Sequence, residues 1–231
     1  MNVLISGGAG GIGSAISKKF ISMGFTVHSI DIQDADLGER FINHKVDVLN
    51  VKALLKLKEE LKGMRFSHII TLAGRALDDE WKDFVDSNYE TIDGSISLNL
   101  TGHLNVIRTF ADQLDKSIVL ISSINAYGGF GLPIYSAAKA GLIGFARASK
   151  EEFLRKGIRI NVVAPGTIIT PATEKEPKDF SELLEGTKSG RFATKEEVAD
   201  LVYEVAENSD ETGQVKIIDQ GQLENKNGFI I

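Results

Sequence analysis

The chain has 231 residues, of which 42% are hydrophobic, and carries 26 lysines and arginines against 32 aspartates and glutamates, with no cysteine. That length suits one α/β domain with a sizeable core over residues 1-231, and the missing cysteines exclude disulfides and thiolate metal sites. The net charge of −6 argues against a nucleic acid partner, which asks for a basic face, and no apolar run approaches the ~20 residues of a membrane span.

The chain opens on Asn2-Val-Leu-Ile-Ser6, which reads as a strand and leaves no room for a signal peptide, so a cytoplasmic location is expected. It runs into Gly7-Gly-Ala-Gly-Gly-Ile-Gly13 and then a helical period over 12–23, closed by Gly24. Strand, glycine turn and helix in this order form a dinucleotide-binding fingerprint. The glycines let the backbone come close to a ligand, and unpaired amides at the helix start can meet a pyrophosphate. A second strand over 25–30 ends at Asp31, and a third over 41–46 ends at Asp47-Val48. Asp31 can accept hydrogen bonds from both ribose hydroxyls and would repel a 2′-phosphate, which predicts NAD(H) in preference to NADP(H).

A helix is predicted over 50–62 and a strand over 67–72, leading into Thr71-Leu72-Ala73-Gly74. Helices over 77–86 and 89–114 follow. In the first, Asp78-Asp79-Glu80 reads as a solvated face and Trp81 as a packing or rim residue; the second contains Asn99. The apolar run Ile118-Val-Leu-Ile121 reads as a buried strand, set over 117–121, with Ser122-Ser123 at its end. A helix over 135–156, a strand over 158–163, a charged stretch from Pro171 to Arg191, a helix over 194–207 and a strand over 215–218 complete the pattern. Alternating strands and helices imply a doubly wound parallel sheet of seven strands with helices on both faces, its ligand at the carboxyl ends of the strands.

Tyr135 and Lys139 lie four residues apart, on one face of their helix. An ammonium held beside a phenol lowers the phenol's pKa, which fits the tyrosine to exchange a proton with a substrate oxygen near neutral pH. The histidines at 28, 44, 68 and 103 show no metal-ligand spacing and read as surface or packed residues, so no metal is expected.

Together these segments resemble the single-domain type of the short-chain dehydrogenase/reductase family, with a Rossmann-type fold, from about Val3 to Gly221. Its Thr-Gly-x-x-x-Gly-x-Gly turn reads here as Ser6-Gly7-Gly8-Ala9-Gly10-Gly11-Ile12-Gly13, with the hydroxyl kept. The resemblance implies catalytic Asn99, Ser123, Tyr135 and Lys139. Ser123 is preferred to Ser122 as the second residue of its pair, although it precedes the tyrosine by twelve positions rather than thirteen. The cofactor residues implied are Ser6, Gly7, Gly11, Ile12, Gly13, Asp31, Asp47, Val48, Ala73, Gly74, Tyr135, Lys139, Pro165, Gly166, Thr167, Ile168 and Thr170. Thr71-Leu72 departs from the family's paired asparagines. Asn99 would hold a water on a proton path to Lys139, and Lys139 would also hold the nicotinamide ribose.

The activity implied is NAD(H)-dependent hydride transfer to or from a carbonyl or secondary alcohol. The stretch of about 166–191, rich in charge and poor in large apolar residues, reads as a short mobile lid over a small to medium substrate. A 3-oxoacyl thioester reductase and a non-catalytic NAD-binding protein are the alternatives. Relatives pair through helices corresponding to 89–114 and 135–156, which implies a homodimer or homotetramer. The tail 222–231, ending in Phe229-Ile-Ile231, is expected to be buried against a neighbouring subunit or over the active site.

Overall fold

A computed structural model describes every residue except 129, 172, 178, 208, 209 and 226–231. The described residues form a seven-stranded parallel sheet in the order β3-β2-β1-β4-β5-β6-β7. Its strands are β1 Asn2–Ser6, β2 Thr26–Asp31, β3 Phe41–Lys45, β4 Phe66–Thr71, β5 Leu114–Ile121, β6 Arg159–Pro165 and β7 Val215–Ile218. The order reverses between β1 and β4, opening a crevice at the carboxyl ends of those two strands.

Period-two alternation distributes the core. Leu4 faces one layer with Ile69, Phe110, Ile118, Leu120 and Leu142, while its neighbours Val3 and Ile5 face the other with Phe20, Ile70, Val119 and Val202. The helices α2 (Val51–Glu60), α4 (Gly102–Phe110) and α5 (Pro133–Leu154) cover the first face; α1 (Gly11–Ser22) and α7 (Lys195–Glu207) cover the second. Each fully buried Phe or Leu contributes about 2–3 kcal/mol, so both faces hold the sheet firmly and fix the ends of its strands.

Three sequence-based expectations need correction. Residues 77–86 are not one helix but two 3-10 turns, Asp78–Trp81 and Phe84–Asp86. The predicted helix over 89–114 divides into α3 (Tyr89–Ile96), a π turn (Ser97–Thr101) and α4, which ends at Phe110. Strand β5 consequently starts at Leu114, where Arg65 binds the carbonyls of Asp112 and Leu114 and bridges to Asp115. The charged stretch carries a short helix α6 (Phe180–Glu185), begun by Asp179, whose carboxylate accepts the amides of Ser181 and Glu182. Of the tail, α8 (Gln222–Asn225) is described, and the expectation for Phe229 to Ile231 lies outside the described residues.

The histidines are packing residues. His28 stacks on His44 between β2 and β3, and its burial, followed by the neighbouring imidazole, holds its pKa down to about 4. His68 joins Ser117 (2.8 Å) to Glu207 (2.8 Å). That row resembles a nucleophilic triad, but Ser117 and His68 are fully buried and the serine hydroxyl donates to the Ala206 carbonyl. It pins β4 and β5 to α7. No helix among the described residues is long and apolar enough to cross a membrane.

Candidate active site

A cavity of about 860 Å³ lies across the carboxyl ends of the strands, from Asp31 and Asp47 at one end to Tyr135 and Leu183 at the other. Its first half is built from backbone. Gly7 turns with φ +78°, and a Cβ there would lie 2.9 Å from the Ala73 backbone. A Cβ on Gly13 would lie 1.8 Å from the Gly7 carbonyl oxygen, so only glycine fits the first turn of α1 against the loop. Gly10 begins that helix with no side-chain cap and no acid in the first turn, which leaves the amides available to an anion. Asp31 accepts from the Ala9 amide and from the Gln33 amide, each at 3.0 Å, and each carboxylate oxygen retains capacity for a further donor. These groups fit a dinucleotide.

Of the cofactor residues predicted from the sequence, all but Ser6 and Gly13 line the cavity. Ser6 is wholly buried with its hydroxyl unpartnered, and Gly13 shapes the loop from behind. The opposite wall is the turn Pro165 to Thr167, which Gln222 braces: its side-chain oxygen accepts the Thr167 amide at 2.8 Å and its side-chain nitrogen donates to the Thr167 hydroxyl at 3.1 Å. Sequence reasoning did not single out Gln222. Nor did it single out the wall residues Gln33, Arg75 and Asn125, while Trp81 proves to be a lining residue. None of these carries a motif.

The second half is built from side chains. Tyr135 sits in the first turn of α5 and Lys139 one turn later, its Nζ 5.5 Å from the phenol ring centre. Ser123 stands just past the end of β5, lining the cavity with Tyr135, and its hydroxyl donates to the Asn125 side-chain oxygen at 3.0 Å. Ser122 also lines the cavity, but its hydroxyl is taken up by the Lys139 carbonyl, to which it donates at 2.8 Å. Asn99 lies in the π turn, outside the cavity lining, and its Nδ2 donates to the carbonyls of Arg75 (2.9 Å) and Ser95 (3.1 Å). Its Oδ1 is buried and unpartnered. A Cβ built on Gly74 would lie 2.5 Å from that oxygen and 3.6 Å from Lys139 Nζ, so the two groups face one another across a glycine.

Electrostatics differ from the sequence expectation. Burial pushes the Tyr135 phenol above its ordinary value; the Ser123 hydrogen bond pulls it back, while Glu176 and Glu80 push it further up. Lys139 does not act as a fixed charge, because burial draws its own ammonium down to about 7. It donates to the Ile121 carbonyl at 3.0 Å. Where the resemblance called for asparagine, Thr71 instead meets His103 of α4 at 2.9 Å. Burial and the charge of Lys139 hold that imidazole well below its usual pKa. Of Asp78-Asp79-Glu80, read as a solvated face, Asp78 is exposed as expected, but Glu80 is 2% exposed and accepts backbone amides from Leu77 and Tyr135.

Residues 1–180 match the model of the family described as short chain dehydrogenase. A 3-oxoacyl-[acyl-carrier-protein] reductase, FabG, of Thermotoga maritima is 37% identical over 235 residues, covering 94% of this chain and 96% of that protein. The crystal structure of a short chain dehydrogenase/reductase family oxidoreductase from Burkholderia thailandensis has a TM-score of 0.85 at 28% identity, over 96% of this chain and 92% of that one. A structure of ElxO with NADPH bound, in a tyrosine-to-phenylalanine variant, has a TM-score of 0.87 at 25% identity, over 96% and 98%.

Proposed function

The chain belongs to the short-chain dehydrogenase family and is an oxidoreductase acting between an alcohol and a carbonyl, and from that premise we propose that it works with NAD(H) on a small to medium substrate, Tyr135 being the general acid and base. One observation carries the reading: Ser123, Tyr135 and Lys139 converge at one end of a cavity whose other end is a glycine cradle closed by Asp31. The cradle from Gly7 to Ile12 would hold the pyrophosphate, Asp31 the adenosine ribose, Asp47 and Val48 the adenine, and Lys139 the nicotinamide ribose, with Thr167 to Thr170 beside the nicotinamide. When bound, the nicotinamide supplies or takes up the hydride.

The protein's own residues handle the oxygen and the proton. Ser123 donates to the substrate oxygen and orients it as charge develops. Tyr135 gives that oxygen a proton in reduction and takes one from the hydroxyl in oxidation. The raised phenol makes protonated tyrosine the resting form, ready for reduction. Lys139, with a pKa near 7, exchanges protons readily at neutral pH, and the unpartnered oxygen of Asn99 opposite it suits a water that carries protons onward.

Asp31 supports NAD(H), since a carboxylate at the end of β2 can accept from ribose hydroxyls and would repel a 2′-phosphate, and none of Gly10, Ile32 and Gln33, which line the same cavity, carries a positive charge. The bound NADPH of ElxO and the name of the Thermotoga relative favour a second reading, a 3-oxoacyl thioester reductase. Homo-oligomerisation is part of the proposal, supported by a cleft of about 550 Å³ between α4 and α5 lined by Leu104, Ile107, Phe145 and Phe153. Initial rates with NADH and with NADPH across small ketones, diketones, keto-sugars and 3-oxoacyl thioesters test the reading. Faster turnover of a small ketone with NADH supports it; preference for a thioester with NADPH selects the second reading. No turnover with any of them contradicts both.

A further inference from the structure

The helix that carries Tyr135 has no cap of its own. Its N-cap position is Leu132, held at φ +53° with no side-chain acceptor, and Pro133 follows with no amide to offer. The Tyr135 amide is donated instead to Glu80 Oε1 at 2.7 Å, fifty-five residues away in sequence. The other carboxylate oxygen accepts the Leu77 amide at 2.8 Å.

We infer that Glu80 is a positioning residue for Tyr135, clamping the cavity wall at 72–81 to the first turn of the helix that presents the phenol. This rests on the reading of Tyr135 as the proton donor. A carboxylate 2% exposed is costly to bury, and no ion pair reaches it among the described residues. Two charge-assisted hydrogen bonds and the positive end of a 22-residue helix offset that cost. Both ends of the clamp belong to the site. Gly74, Arg75, Ala76 and Trp81 line the cavity on the loop side, and Tyr135 and Lys139 line it on the helix side. A shift of the first turn of α5 would therefore carry the phenol away from Ser123. Glu80 also adds to the upward push on the phenol, so it acts on the tyrosine through charge as well as through position.

Glu80→Ala and Glu80→Gln in the full chain separate this role from simple structural support. In the ligand-free protein, amide hydrogen exchange at Tyr135 becomes about tenfold or more faster in Glu80→Ala, while Leu142 in the middle of the helix keeps its protection. With NADH and the best carbonyl of the panel above, kcat falls roughly 10- to 100-fold in Glu80→Ala, with KM for NADH within about twofold. Glu80→Gln retains more of kcat and moves the tyrosine-dependent limb of the pH profile to lower pH, because the charge that raised the phenol is gone. Unchanged exchange at Tyr135 in both variants would overturn the clamp. So would a loss of kcat that follows loss of folded protein with the pH profile unmoved. If the wild type turns over no carbonyl, the functional reading fails separately, and amide exchange alone decides the clamp.

Discussion

The two ends of the cavity are made of different material. The nucleotide end is backbone: turns at Gly7 and Gly13 approach other main-chain atoms so closely that a single methyl has no room, and the carboxylate of Asp31 there is itself tied to two amides. The reaction end is side chain: Ser123, Tyr135, Lys139 and Glu80 are brought from three separated segments, and burial shifts the phenol and the ammonium in opposite directions. A backbone-built site fails by steric intrusion. A side-chain-built site fails by a change of charge or proton affinity, or by the loss of a side chain such as Glu80 that holds another in position.

Gly13→Ala attacks the first kind and has the largest expected effect. Its Cβ would meet the Gly7 carbonyl, so stability falls by about 3 kcal/mol or more and NADH binding is lost, as read by urea unfolding and by fluorescence titration. Near-native stability with intact binding would mean that the backbone has slack, and the contrast between the two ends would be gone.

Lys139→Met attacks the second kind and has the opposite sign for stability. The ammonium pKa drops from 10.5 unfolded to about 7 folded. Burying the lysine thus costs stability in full below pH 7, progressively less between pH 7 and 10.5, and nothing above. Replacement by methionine should stabilise the protein near pH 6 by on the order of 2 kcal/mol, with the gain disappearing toward pH 10.5, while turnover is abolished. Denaturant unfolding at several pH values reads this directly. A destabilised variant at pH 6 would show that the hydrogen bond to Ile121 outweighs the buried charge.

Much of the backbone-built end was legible in the sequence, because its determinants are local. The glycine turn, the strand before it and the acid that ends β2 are contiguous or nearly so, and all seven strands were foreseen, most of them to within two residues at each end. The reaction end was legible only where spacing carries the signal, as with Tyr135 and Lys139 on one helix face. Glu80 escaped because an acidic run reads as solvated unless its partner is known, and that partner is an amide fifty-five residues on. The π turn at Asn99 escaped because one slipped hydrogen bond leaves no compositional trace. The phenol departs from the expected direction because burial, a tertiary property, outweighs its nearness to the ammonium.

A smaller effect sharpens the contrast within the nucleotide end. Asp31→Ala removes a charge without intruding on the backbone, so the protein stays folded and the ratio of kcat/KM for NADH over NADPH shifts about tenfold toward NADPH. An unchanged ratio in steady-state assays with both cofactors would take the discrimination away from Asp31.

The division of labour is tested most directly by comparing Tyr135→Phe with the wild type in two assays, NADH affinity and turnover of the best carbonyl substrate. The prediction is an NADH Kd within about twofold and a kcat reduced by roughly 100-fold or more, since the cradle is untouched and only the proton donor is removed. Turnover above about a tenth of the wild-type rate at pH 7 would contradict the assignment of Tyr135 and with it the proposed chemistry.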